Sequence, residues 1–110
     1  MEIAQTLITS QGRVNYSIGV NSIAEQDGEY RAWLTTCIRR FNKRDWGDTD
    51  QEGVARILHD LEYNNDIKAR YNNPRGDVYI ILRPEGRLFF NMTVSATVKI
   101  TYDIMLTEEG

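Results

Sequence analysis

The fold is decided by DIKARYNNPRGDVYIILR, residues 66–83. In its first part Ile67, Ala69 and Tyr71 share one side, with Lys68 and Arg70 on the other. Apolar residues recurring with period two are the mark of a strand with one buried face. NNPRG supplies the residues a tight turn needs, and Val78, Ile80 and Leu82 then resume the alternation. The segment predicts an antiparallel hairpin whose apolar face must be buried. The integrin-type tripeptide RGD, residues 75–77, falls at the hairpin tip and has a structural explanation there.

The same period continues downstream. PEG, residues 84–86, predicts a second turn. In RLFFNMTV, residues 87–94, Leu88, Phe90, Met92 and Val94 share a face. In SATVKITYDIML, residues 95–106, Ala96, Val98, Ile100, Tyr102, Ile104 and Leu106 do the same. Upstream the period changes to that of a helix. In EYRAWLTTCIRRFNKR, residues 29–44, Tyr30, Trp33, Leu34, Cys37, Ile38 and Phe41 form one apolar stripe. Asp27 or Gly28 would start this helix, and Arg39, Arg40, Lys43 and Arg44 crowd its end, where cations suit the dipole. A second helix is expected from Val54, Ile57, Leu58 and Leu61, opened by a Thr49–Glu52 capping box and stopped by YNND, residues 63–66. Near the start, IAQTLIT and RVNYSIG have strand composition, with Val14, Tyr16 and Ile18 alternating and SQG between them as a turn. VNSIAEQDG, residues 20–28, is expected to be irregular. The expected fold is α+β, one domain over residues 1–110: an antiparallel meander sheet of four or five strands with two helices packed on one face.

Composition narrows the function. The chain has 110 residues, 41% hydrophobic and 26% charged, with a formal net charge of −3. That balance suits a soluble globular domain and offers no general attraction to polyphosphate. No apolar run approaches the roughly 20 residues of a membrane span, and the first residues lack the basic and apolar regions of a secretory signal. A cytoplasmic location is expected, so the glycosylation sequon NMT at 91–93 carries no meaning. Cys37 is the single cysteine, which excludes an intrachain disulfide and a cysteine zinc cluster. No cofactor or metal is expected.

NKRDWGDTDQE, residues 42–52, invites more specific chemistry. Asp48, Asp50, Glu52 and Gly53 mimic the opening positions of an EF-hand loop, but His59 stands where the closing Glu is required and the intervening residues are helical in pattern. A catalytic carboxylate pair would need burial to drive its pKa values apart, whereas acids at a helix start are solvated. The residues fit a joint better. Cations close one helix, acids open the next, and Gly47 permits the bend. Trp46 would pin the corner if buried and would be a binding anchor if exposed. A Cys37–His59 dyad is opposed by the position of Cys37 within an apolar stripe.

WLTTCIRRFNKRDWGDTDQE, with IKARY and VYIILRPEGR, resembles a family of small uncharacterised proteins carried by phages, plasmids and their bacterial hosts. The resemblance covers about residues 33–87 and is distinctive at Asp45, Trp46, Gly47 and Asp48. The chain departs from the family pattern at Gly53, where a second acid is expected, and no Asn follows closely. No catalytic or binding residues are carried over; the resemblance implies a mobile-element origin.

The sheet surface facing away from the core holds Lys68, Arg70, Tyr79, Ile81, Arg83, Arg87, Phe89, Asn91, Thr93, Lys99, Thr101 and Asp103. Aromatic and aliphatic residues on such a face have three explanations: cover by the N-terminal strands or by a second copy in a homodimer, a site for another protein, or a platform for single-stranded nucleic acid. Two functions follow. In the first, a non-enzymatic mobile-element protein binds a protein partner, in its concrete form an anti-CRISPR-like inhibitor of a host nucleic-acid-handling complex. Asp45, Trp46, Asp48 and Asp50 would then be the contact. In the alternative, a single-stranded nucleic-acid module would use Lys68, Arg70, Tyr79, Arg83, Phe89 and Lys99. An enzyme is not expected.

Overall fold

The computed structural model describes residues 1–63, 65–83 and 100–110. The elements run β1 (Ile3–Thr9), β2 (Gly12–Ser17), α1 (Ile18–Gln26), α2 (Gly28–Asn42), α3 (Gln51–Glu62), β3 (Ile67–Tyr71), β4 (Val78–Leu82) and β5 (Thr101–Leu106), ending in a 3-10 turn over Thr107–Glu109. The described strands form one sheet in the order β1-β2-β5-β4-β3. The β3–β4 hairpin is as expected, with Ala69 opposite Ile80, and β1–β2 form a second hairpin with Leu7 opposite Val14. The strand expected at 87–94, the PEG turn, and the stretch of the last strand up to Lys99 lie outside the described residues.

The fold is α+β, but the sheet is mixed rather than an antiparallel meander. β5 lies antiparallel to β4, with Ile80 opposite Ile104, and parallel to β2, with Tyr16 opposite Ile104. A parallel pair needs a long crossover, and here α1, α2, α3 and the β3–β4 hairpin all fall between its two strands. As the middle strand, β5 is buried along Tyr102–Leu106 on both faces. Val14, Tyr16, Tyr102, Ile104, Val78, Ile80, Ala69 and Tyr71 form one core with Val20, Leu34, Cys37, Ile38, Phe41 and Ile57 from the helices.

Among the described residues there are three helices rather than two, because α1 replaces the irregular segment. Ser17 Oγ accepts from Val20 N–H at 3.2 Å to cap it, and Val20 and Ala24 are buried one turn apart. Ile18 therefore leaves the strand alternation and is 51% exposed. Asp27 ends α1 and caps α2 by accepting from Glu29 and Tyr30 N–H at 2.9 and 3.2 Å. In α3 only Ile57 is fully buried; Leu58, assigned to the stripe by its spacing, is 58% exposed. The RGD tip is tied within the chain. Arg75 pairs with Asp27 at 3.0 Å, Tyr30 O–H donates to the Gly76 carbonyl at 2.8 Å, and Asp77 holds Arg70 at 3.1 Å.

The C-terminal turn is latched to α1. The Glu109 carboxylate accepts from Ser17 Oγ at 2.6 Å, Leu106 N–H at 2.7 Å and Gly19 N–H at 3.1 Å. Desolvation alone would raise its pKa, but these donors outweigh it and hold the group below its ordinary 4.5. A depressed carboxylate contributes stability above its unfolded pKa and loses it as pH falls through the folded value. Glu109→Gln is expected to lower stability by about 1 kcal/mol at neutral pH. In urea melts this gap should narrow as pH falls below the unfolded value and through the lower folded one, where the wild-type carboxyl is itself protonated.

Candidate functional site

The Asp45–Asp50 corner is built on the outer edge of β3. At the end of α2, Arg40 forks onto Asp45, Nε to Oδ2 at 2.8 Å and Nη2 to Oδ1 at 3.2 Å, and Gly47 N–H adds a bond to Oδ1 at 3.1 Å. The Arg40 side chain and then the Gly47 amide hold the Asp45 carboxyl below its usual range. Tyr71 O–H donates to the Asp45 carbonyl at 2.7 Å. Trp46 is half-buried and meets Phe41 edge-on, ring centres 5.2 Å apart, so it pins the corner to α2. Gly47 has φ +64° and lies against the Tyr71 ring, leaving no room for a side chain.

The corner then runs along β3 as a short edge. Asp48 N–H donates to the Arg70 carbonyl at 2.8 Å, and its Oδ2 accepts from Asn72 N–H at 2.8 Å. Thr49 Oγ1 accepts from Arg70 N–H at 2.8 Å and donates to the Trp46 carbonyl at 2.6 Å. With the Thr49 hydroxyl so engaged, the expected capping box does not form. Asp50 caps α3 instead, accepting from Gly53 N–H at 2.7 Å, and Glu52 lies 3.9 Å from Arg56. At Gly53 a Cβ would stand 2.6 Å from Thr49 Cγ2, so this close turn has no room for an acid.

Among the described residues, two of the three cations of the sheet face are paired with carboxylates. Arg70 bonds Asp77 and, through Nε, Asn72 Oδ1 at 2.9 Å. Arg83 grips Asp103 Oδ2 through Nε at 2.8 Å and Nη2 at 2.7 Å. Lys68 Nζ lies over the Tyr79 ring, 4.5 Å from its centre. Phe89 and Lys99 lie outside the described residues. β1 and β2 extend the sheet sideways beyond β5 rather than lying across this face. A polar chain crosses it instead: Thr6 Oγ1 donates to Asn15 Oδ1 at 2.7 Å, and Asn15 Nδ2 donates to Asp103 Oδ1 at 2.9 Å.

Two of the residues expected at the corner and three of those expected on the sheet face meet in one open groove of about 440 Å³ between α3 and β3–β4. Asp48 and Asp50 stand on one side, Lys68, Arg70 and Tyr79 on the other, with Glu52, Arg56 and Asp60 contributed by α3. Asp45 does not line it. Trp46 and Arg83 border a separate, more apolar cavity of about 280 Å³ with Phe41, Leu82 and Tyr102. Sequence reasoning missed the α3 residues Glu52, Arg56 and Asp60 as groove lining. Their signal was present in the polar i, i+4, i+8 row beside Ile57, which itself lines the groove, but only the packing of α3 on β3 says what that row borders.

Cys37 and His59 do not form a dyad. Cys37 is fully buried in α2, and desolvation pushes its thiol up to about 12. His59 is on the outside of α3, stacked on Tyr63 with ring centres 4.6 Å apart and 3.5 Å from Asp60. In the native protein Cys37 should react with iodoacetamide at least about a hundredfold more slowly than in denaturant; comparable rates would contradict its burial. Among the described residues no three His, Cys, Asp or Glu groups could hold a metal ion, and no helix is long and apolar enough to cross a membrane. Compared with family models, curated proteins and solved structures, the chain matches none.

Proposed function

We propose that this chain is a non-enzymatic protein of mobile-element origin that acts in the cytoplasm by binding a protein partner. Its concrete form is an anti-CRISPR-like inhibitor of a host nucleic-acid-handling complex. The observation that carries this is the groove, where exposed Asp50 and Glu52 at the start of α3 stand beside Lys68 and the Tyr79 ring. Opposed charges around an aromatic side chain suit a protein surface carrying both signs, and the acids suit a partner whose basic groove normally holds phosphate. The corner contributes through Asp48 and Asp50. Asp45 and Trp46 support it from behind through their bonds to Arg40 and Phe41.

The nucleic-acid alternative rests on the Lys68–Tyr79 pair. It is the weaker of the two, because Lys68 covers a ring face that a base would stack on and Arg70 and Arg83 are paired with Asp77 and Asp103. Affinity capture from a host lysate should recover one protein partner. Glu52→Lys, on an 87% exposed side chain, should lower its affinity about tenfold. Recovery of no partner, or Glu52→Lys binding as wild type, would overturn the groove as the contact. Salt-dependent binding of a single-stranded oligonucleotide, steep between low and moderate salt, would favour the alternative.

A further inference from the structure

The sheet has two edges, and the chain treats them differently. The outward groups of β3 at Arg70 and Asn72 are occupied by Asp48 and Thr49. β1 forms the other edge, and its outer backbone groups have no partner among the described residues. Open edges are ordinarily blunted by charge, proline, short length or a bulge, because unpaired N–H and C=O groups recruit another strand. The seven residues Ile3–Thr9 contain no charge and no proline. The register shift lies between Ile3 and Gln5, which leaves Gln5–Thr9 regular. Ile8 is 78% exposed and Ile3 47%, and the neighbouring Met1 is 49% exposed.

We propose that β1 is a self-association seam, at which a second copy of this chain adds its own β1 antiparallel across a two-fold axis. The occupant follows from charge. A strand paired with its own copy sets like residues against like or near neighbours, so any charge in it would meet the same sign at short range. β1 has none, in a chain that is 26% charged with a net charge of −3. An axis at Thr6 puts Thr6 against Thr6 of the copy, Gln5 against Leu7 and Ala4 against Ile8, all compatible cross-strand pairs. A foreign strand chosen for its charge would find no complement in β1. One strand pair buries less than the roughly 1,200 Å² of a standard interface, so the dimer is weak, with Kd on the order of 10–100 μM. The two sheets become one continuous sheet, which carries the two grooves at its far ends. The seam is independent of what those grooves bind.

Sedimentation of the whole chain from about 1 μM to about 1 mM, a range that brackets this affinity, tests the seam. The mass should rise from 12.7 kDa toward twice that value, while the I3K/I8K variant stays monomeric with an unchanged circular dichroism spectrum. Amide exchange in Gln5–Thr9 should slow with concentration in the wild type alone. A wild-type monomer at every concentration, an undiminished dimer in I3K/I8K, or protection of β1 only when a different protein is added would each overturn the proposal.

Discussion

Arg83→Met should cost about 3–5 kcal/mol, because it strands the buried Asp103 carboxylate without its cation. Asp103 is 4% exposed in the middle strand, and in the native chain Arg83 and Asn15 satisfy its two oxygens. Asn15 lies opposite Asp103 in the parallel β2–β5 register, so the ion pair sits where the N-terminal hairpin joins the rest of the sheet. Asp103→Leu should cost less, about 2–3 kcal/mol, since Arg83 is 46% exposed and keeps its water while Asn15 loses an acceptor. The double variant Arg83→Met/Asp103→Leu should cost less than the sum of the two single effects, giving a coupling of about 2 kcal/mol in a urea double-mutant cycle. Additive single effects would show that the pair does not hold the parallel seam.

Gly47→Ala should cost about 3 kcal/mol, from two sources. A non-glycine residue at φ +64° carries about 1–2 kcal/mol of backbone strain. The added Cβ would also stand 2.7 Å from the Arg70 carbonyl and press on the Tyr71 ring. Tyr71 is fully buried, and its hydroxyl holds the Asp45 carbonyl, so it cannot move aside without releasing the corner. Thermal melts should show a drop on the order of 10 °C for a domain of this size. Gly28→Ala is the control, since nothing lies within 4 Å of a Cβ there. It should change stability by less than about 1 kcal/mol.

Much of this architecture was legible in the residues. α2 and the β3–β4 hairpin each carry an unbroken apolar pattern at one period, so local spacing alone identifies them. The position of Gly47 at a bend followed from its place between a basic helix end and an acidic helix start. α1 was hidden because its burial rests on Val20 and Ala24 alone, and Leu58 was misplaced because α3 turns only a narrow face inward. The parallel β2–β5 pairing could not be read: period two says that Val14 and Tyr16 share a face, not which strand lies beside them. The corner was recognised as a joint, but its bonds reach Arg70 and Asn72 some twenty residues on, and no local pattern records them. The groove was hidden likewise. Its two walls were noticed as separate sets, and only the docking of α3 beside β3 makes them one site.

The Asp-Trp-Gly-Asp corner closes the β3 edge and thereby forms one wall of the groove. Native-state amide exchange at Arg70 and Asn72 tests this most directly. Both amides should be protected to nearly the level of β4 in the wild type. In Asp48→Ala the Asn72 amide should exchange at least about tenfold faster while β4 is unchanged. Rapid exchange of Arg70 and Asn72 in the wild type, or equal protection after Asp48 is replaced, would contradict it.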